Sequence, residues 1–374
     1  MTPAFRDPIY VTRPLLPPLD AVHRLLGDVW DAQWLTNAGA KHQALEEALR
    51  RHLGVDQLSL FNNGTIGLMT TLRALELSGE VITTPFTFPA TPHALSLTGL
   101  TPVFCDIDPV RMTLDPAAVE LAITPETSAI LAVHVYGIPC DVAGLQSVAD
   151  RHGLRVVYDA AHAFGASVDG RGIGTFGNAS MFSFHATKLF HTAEGGAVAC
   201  ADPALRARID RLKNFGIVDQ EHVDVVGLNG KMNELQAVMG LAVLECLAAE
   251  IASRRAVSDV YRRRLDGVPG LTLAPCVPGA ASVQYFVVRI NAREFGRSRD
   301  QVHEALKAHN VFTRKYFYPL CTDYGCYHDL PSSRRPMPAA RAAVSEVLCL
   351  PIYGTLPLAD VETICDLLVG EGTR

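Results

Sequence analysis

The sequence predicts an α/β fold: a mostly parallel central sheet sandwiched by helices, followed by a smaller C-terminal α+β domain. Three observations carry that expectation. Short apolar runs alternate with helix-length segments from Leu58 to Ala201, the pattern of repeated βα units. One of those runs, Val156–Tyr158, is apolar throughout, as a strand covered on both faces is. After about Glu250 the texture changes, with a basic helical stretch, Ile251–Leu265, ahead of an alternating run, Tyr285–Ile290. The expected division is a large domain with an N-terminal arm over residues 1–250 and a small domain over 251–374. The boundary falls within a long helix from about Met232 to Arg264.

In chain order, residues 1–18 are proline-rich and read as an extended arm, and Leu19–Trp30 has helical spacing. A turn at Trp34–Gly39 leads to an amphipathic helix, Gln43–Leu53. Leu58–Thr71 reads as strand, turn and helix, with Asn63, Gly64 and Thr65 where the helix begins. Amides and a hydroxyl at that place suit a phosphate, although a plain asparagine–glycine turn looks the same in isolation. Further strands are expected at Glu80–Thr84, Pro102–Asp106, Ser128–Tyr136, Val156–Asp159, Ala179–Phe184 and Gly196–Ala201. Arg299–His309 reads as a helix of the small domain.

Composition excludes several function classes. A chain of 374 residues with 48% hydrophobic and 19% charged content has ample material for a large and a small core. A net charge of −6, with no polybasic run, argues against nucleic acid as a partner. No charged n-region with an apolar h-region opens the chain, no 18-residue apolar segment is expected, and so no membrane partner is expected either. Nine cysteines without a CxxC pair argue against a structural zinc, any other metal site and a disulfide framework, and suit the cytoplasm.

The chemistry centres on Ser180–Gly196, SMFSFHATKLFHTAEGG, which places Lys188 among aromatic and small residues. Carbonyl chemistry needs an amine that is neutral part of the time, and burial disfavours the charged form of lysine. Upstream, Asp159 sits where the strand Val156–Asp159 ends, the edge at which open α/β sheets gather their functional residues. Alone, it would serve as a helix N-cap. With a buried lysine after it, the pair fits pyridoxal phosphate: the carboxylate keeps the pyridine nitrogen protonated and the lysine forms the Schiff base.

Seven segments in order, NNGTIGL, TPFTFPAT, HVYG, DAAHAFGA, SFHATKLFHTAEGGA, GLNGKMNELQAVMGL and TRKYFYPL, resemble the DegT/DnrJ/EryC1/StrS family of sugar-nucleotide aminotransferases. The resemblance covers nearly the whole chain and implies a fold-type I pyridoxal-phosphate-dependent scaffold. It implies Lys188 as the catalytic Schiff-base lysine, Asp159 as the pyridinium partner, and Gly64, Thr65 and Ser183 as phosphate ligands. Phe88 matches the aromatic residue over the ring, and His162 stands where relatives commonly carry a glutamine that contacts the cofactor hydroxyl. Asn229 matches an asparagine that reaches the phosphate from the neighbouring subunit, which implies a homodimer with shared active sites.

Substrate contacts are implied for His134, Tyr136, His185, Lys231, Tyr316 and Tyr318. A structural histidine suits His185 equally, and Lys231 and Glu234 also read as solvated helix positions. Within the family, WLTNAG and KHQALEEAL point to the branch that aminates dTDP-4-keto-6-deoxyglucose with L-glutamate as donor. That branch belongs to deoxyamino-sugar biosynthesis of the O-antigen and lipopolysaccharide kind. A 3-keto sugar or a GDP-linked 4-keto sugar is the competing acceptor. Two other classes are weighed against it. Dehydratases of the family replace the lysine by histidine, which Lys188 opposes, and a cofactor-binding regulatory protein without turnover would have a degraded substrate region, whereas His134, His185 and the Tyr316–Tyr318 motif remain chemically capable.

Overall fold

The computed structural model of the chain describes residues 2–275 and 283–370. Seven strands form the central sheet: β1 Gln57–Phe61, β2 Glu80–Thr83, β3 Thr101–Phe104, β4 Thr127–Val133, β5 Arg155–Asp159, β6 Ala179–Ser183 and β7 Gly196–Cys200. Their order is β1-β7-β6-β5-β4-β2-β3. Neighbours are parallel except around β7, which runs antiparallel to both β1 and β6. The mostly parallel sheet therefore carries one reversed strand near its edge, and that strand leaves directly from the loop that holds Lys188.

Eight helices belong to this part of the chain: α1 Leu19–Ala32, α2 Ala40–Leu53, α3 Gly64–Ala74, α4 Ala90–Leu97, α5 Pro116–Ala122, α6 Val142–His152, α7 Pro203–Leu212 and α8 Glu234–Leu265. Strand side chains alternate between the two faces. Val156 and Tyr158 join Leu45 and Leu49 of α2 and Leu145 of α6 in one cluster. Val157 and Val198 join Leu68 of α3, Leu95 of α4 and Ile209 of α7 in the other. Cover on both faces is why these strands read as continuous apolar runs. The strand expected at Ser128–Tyr136 is shorter: β4 stops at Val133, and Val135–Gly137 turns with Tyr136 at φ 57°.

α8 is 32 residues long and runs from one core into the next. Ala237, Val243 and Leu247 pack under the central sheet, while Val257, Tyr261 and Leu265 pack with the three-stranded antiparallel sheet Leu271–Leu273, Phe286–Ile290 and Val347–Leu350. By length and composition this helix is apolar enough to cross a membrane, contrary to the expectation that no such segment occurs. Here it packs against α1, α2 and the helix Leu358–Val369. The arm adds to the small domain, because Ile9–Tyr10 pairs parallel with Val311–Phe312.

Polar contacts join these parts. Glu234, buried at the start of α8, accepts from the amides of Lys41 at 2.8 Å and His42 at 3.1 Å and so caps α2. It is not the solvated helix position the sequence allowed. Farther along α8, the buried Arg254 donates through Nε to Glu250 at 2.6 Å, and Glu250 also accepts from the Gly354 amide at 2.9 Å. A Cβ on Gly354 would lie 2.0 Å from Glu250 Oε2, so only glycine admits that contact. Removing one partner of a buried pair strands the other charge in the interior. Glu250→Ala is therefore expected to cost about 3–5 kcal/mol in chemical denaturation, whereas the double change Glu250→Met/Arg254→Met costs much less. Equal losses for the two would show that the charge is not what makes the single change expensive.

Candidate active site

The C-terminal edge of the sheet gathers the functional side chains. Asp159 ends β5, Ser183 ends β6, the turn after β1 starts α3, the loop after β2 carries Thr87 and Phe88, and the first turn of α4 carries Thr91. Between them and the small domain lies a cavity of about 280 Å³. At one end, Asn63 caps α3 by accepting from the Ile66 amide at 2.9 Å. A Cβ on Gly64 would stand 2.8 Å from Met181 Sδ, and one on Gly196 would stand 2.6 Å from the Gly64 nitrogen. Glycine at both places lets the helix start lie against β6 and β7. The first amides of a helix have no acceptor within it. Those of Gly64 and Thr65, with the Thr65 and Ser183 hydroxyls, thus line a pocket suited to a phosphate.

At the other end Asp159 is buried, and no ion pair joins it among the described residues. Its Oδ1 accepts from the Ala161 amide at 3.0 Å and its Oδ2 from the Thr91 hydroxyl at 2.8 Å, with Thr87 Oγ1 2.9 Å from that of Thr91. Burial outweighs these bonds and the Lys188 charge, and raises the carboxyl above the usual range. A group in that condition gains from a cationic N–H placed beside it. Lys188 faces the same cavity, and burial lowers its amine from 10.5 to about 8 against the opposing pull of Asp159. His162 is held neutral by burial and by Lys188. Its Nδ1 accepts from the Tyr136 amide at 3.3 Å, which leaves the proton on Nε2.

The small domain closes the cavity with Tyr285, Tyr316 and Phe317. Phe317 stacks on His162 at 5.5 Å between ring centres, and Tyr285 meets the same imidazole edge-on at 5.2 Å. Phe88 stands at the cavity, 56% exposed, as a ring with one face unpaired by the fold would. His185 and Glu194 also line it, with His185 Nε2 3.6 Å from the Glu194 carboxylate. Since His185 Nδ1 accepts from the Thr187 amide at 3.2 Å, the imidazole N–H points toward Glu194.

Nine of the expected residues thus line one cavity: Gly64, Thr65, Phe88, Asp159, His162, Ser183, His185, Lys188 and Tyr316. Five do not. His134 is buried in the core, stacked on Tyr158 at 4.6 Å, and accepts from the Cys140 amide at 3.0 Å, so it supports the strand end and touches no substrate. Tyr136 lies buried behind Phe317, stacked on it at 5.8 Å, and donates its hydroxyl to the Tyr316 carbonyl. Tyr318 packs beneath Arg299 at 5.3 Å and faces solvent. Lys231 donates to Asn214 at 2.6 Å over the ring of Phe215, and Asn229 is exposed beside it, both outside this cavity.

Four contributors were missed. Thr91 belongs to the quoted TPFTFPAT, and its place one helical turn after Thr87 is the signal that was available. Glu194 likewise sat in the quoted TAEGG. Tyr285 and Gln284 had no local signal, because the fold brings them in from the small domain. Gln284 bonds both sides of Lys188: its carbonyl accepts from the Leu189 amide at 2.5 Å and its NH2 donates to the Thr187 carbonyl at 3.0 Å. Among the described residues, no group of His, Cys, Asp or Glu is arranged to hold a metal ion.

Known proteins resemble this chain over most of its length. The model of the DegT/DnrJ/EryC1/StrS aminotransferase family matches residues 21–369. Proteins named dTDP-4-amino-4,6-dideoxy-D-glucose transaminase are similar over nearly the full length. The one from Escherichia coli is 45% identical over 97% of this chain and 98% of its own. The one from Shigella dysenteriae is 44% identical over 93% and 95%. Among solved structures, DesI in the presence of its TDP-sugar product superposes with a TM-score of 0.94 at 41% identity, covering 98% of this chain and 94% of that one.

The cavity's electrostatics give a test independent of any ligand. The Lys188 amine is expected to reach half-maximal reactivity toward an amine-specific reagent near pH 8. Asp159→Asn removes the interaction that holds it up, so the midpoint should fall further. The sign for stability follows: between about 8 and 10.5 the unfolded chain holds a proton the folded chain has shed, so this lysine's contribution to stability rises with pH. Peptide mapping of the labelled protein reads the midpoint, and a value near that of an exposed lysine would contradict the burial argument.

Proposed function

The chain belongs to the DegT/DnrJ/EryC1/StrS aminotransferase family and is a pyridoxal-phosphate-dependent sugar aminotransferase, and we propose that it aminates C4 of dTDP-4-keto-6-deoxy-D-glucose. The observation that carries the choice of acceptor is the 44–45% identity, over almost the whole length, with transaminases named for dTDP-4-amino-4,6-dideoxy-D-glucose. L-Glutamate is the amino donor in this proposal.

The residues present fit the cofactor. A buried carboxyl raised by burial, a helix start with unshared amides and an exposed aromatic face are matched by a pyridine nitrogen, a phosphate and a ring plane, respectively. When bound, pyridoxal phosphate supplies the aldehyde that takes up an amino group and the ring that withdraws electrons from it. Gly64, Thr65 and Ser183 would hold the phosphate, Phe88 would cover the ring, and Asp159 would accept from the ring N–H. His162 would offer its Nε2 proton to the ring hydroxyl. Together these residues would leave the group a single orientation in the cavity.

Lys188 moves the proton. Burial lowers the amine to about 8, so it is partly neutral at working pH, and its Nζ is the atom that would take up and release the proton leaving the α-carbon of glutamate. The same amine runs the reverse transfer on the keto sugar. Tyr285, Tyr316 and Phe317 exclude water from the reacting carbon, while His185 and Glu194 at the cavity wall meet the sugar hydroxyls.

The assembly proposed is a homodimer in which the partner's Asn229 completes the phosphate pocket. Two exposed apolar groups support it. Phe215, Val223, Val225 and Val226 lie on the loop that leads to Asn229, and Trp34, Leu35 and Leu235 cluster at the start of α8. Such patches on a globular surface mark association. A cytoplasmic site of action suits the described cysteines, all of which are free.

Three outcomes are expected. Protein loaded with pyridoxamine phosphate converts dTDP-4-keto-6-deoxyglucose to a sugar whose amino group NMR locates at C4. Conversion of a 3-keto or GDP-linked sugar instead would change the acceptor and keep the reaction, and inertness toward all keto sugars would end the proposal. Lys188→Ala abolishes the visible absorbance of lysine-bound cofactor, and Asp159→Asn folds but loses roughly 10²–10³-fold in kcat. Dimers mixing Asn229→Ala with Lys188→Ala chains should keep at most one complete site. Full cofactor affinity in Asn229→Ala homodimers would remove the asparagine from the phosphate pocket.

A further inference from the structure

The loop Phe184–Gly195 carries Lys188 yet belongs to neither a helix nor a strand. Its position depends on individual hydrogen bonds. Phe184 and Gly195 close its base at 2.9 Å, and the Lys188 amide donates to the His185 carbonyl at 2.8 Å. Beyond these local bonds, a contact from the small domain reaches the lysine's own peptides. Gln284 stands just before the strand Phe286–Ile290, 95 residues from Leu189 in sequence, and its side chain is buried.

We propose that Gln284 is a positioning residue for Lys188, bracketing its backbone from the small domain; this rests on the role given to Lys188 above. The bond from the Leu189 amide fixes the peptide after the lysine, and the bond to the Thr187 carbonyl fixes the peptide before it. A carboxamide meets this demand because it offers an acceptor and a donor on one planar group. Glutamate offers acceptors alone when ionised, and asparagine is one methylene shorter. The group is also neutral, so it fixes the lysine without drawing its amine toward the charged form.

The bracket also ties the lysine to the walls of the cavity. Tyr285, the next residue, lines the cavity, and Val283, the residue before, packs against both the central and the small-domain cores. A shift of the small domain that moves Tyr285 therefore moves the peptides of Lys188 with it. Domain position and lysine position are one variable.

Gln284→Met and Gln284→Glu test this in the full chain. The methionine keeps length and removes both bonds. In the cofactor-free protein, hydrogen exchange at the Leu189 amide should speed up by at least about tenfold, since a bond's worth of protection is lost. In the loaded enzyme kcat should fall roughly 10²-fold, with KM for L-glutamate near that of the unaltered enzyme, because the reacting amine is misplaced while the donor's contacts remain. The glutamate variant keeps the shape and the acceptor for Leu189. It adds a carboxylate beside the lysine, so the rise of kcat with pH should move to higher pH. Unchanged exchange at Leu189, or an unaltered kcat in the methionine variant, would overturn the proposal. Should the methionine variant fail to fold, an unshifted pH profile in the glutamate variant would overturn it instead. The exchange measurement needs no cofactor, so failure of the lysine reading and failure of the bracket are separable.

Discussion

Burying an amine and a carboxyl in one cavity is the constraint on which the rest of this structure depends. Each group loses hydration, and each is pushed toward its neutral form, Lys188 downward and Asp159 upward. Left to relax, such a pair would collapse into an ion pair or draw in water. Here Asp159 is engaged by Thr91 and the Ala161 amide on one side, and Lys188 hangs from a loop anchored separately. The scaffold thus holds two mutually attractive groups apart and leaves room between them for a planar cation. An interior of low dielectric makes that separation costly, and a cation bound between the two, the part proposed for the cofactor's pyridinium, would relieve it.

The sheet's architecture follows from the same need. A parallel strand delivers its functional residue at its C-terminal end, so Asp159 and Ser183 arrive at one edge without special geometry. Lys188 requires more chain, because its loop must leave β6, fold back and still bury its termini. Reversing β7 solves this: the chain returns antiparallel to β6, from Gly196 opposite Ser183, with no helical crossover. The reversal presses Gly196 on the Gly64 backbone, and Met181 of β6 crowds Gly64 itself, which is why neither carries a side chain. The close approach of Gly196 to the start of α3 and the return of the lysine loop are therefore consequences of one strand direction.

What the sequence made legible divides along this line. Residues at strand ends and helix starts, Asp159, Gly64 and Thr65, were found where local pattern put them, since their place depends on period and direction alone, while Ser183 at the end of β6 came from the family resemblance. His134 and Tyr136 sat beside a strand end too, yet the chain turns at Val135–Gly137, folding the imidazole into the core and the phenol behind Phe317. No pattern of apolar residues announces a turn with a non-glycine residue at positive φ. Tyr318 failed for another reason: Arg299, from a distant helix, takes its ring face. Gln284 and Tyr285 carry no local mark at all, because their importance comes from the way the small domain meets the large one.

That meeting is made through directional polar contacts as much as through apolar area. Glu250, paired with Arg254 one turn along α8, ties that helix to the Gly354 amide, and Gln284 ties the strand start to the lysine loop. Buried polar contacts of this kind return little net stability compared with well-packed apolar side chains. They tolerate little displacement, however, since a hydrogen bond weakens steeply as its angle closes. Apolar surfaces alone would let the small domain slide by a fraction of an ångström at small cost. The proton transfer proposed for Lys188 would not tolerate such a slide, because reacting atoms must stay within about 3–3.5 Å. The joint between the domains is polar, then, for the same reason that the cavity is: position counts for more here than cohesion.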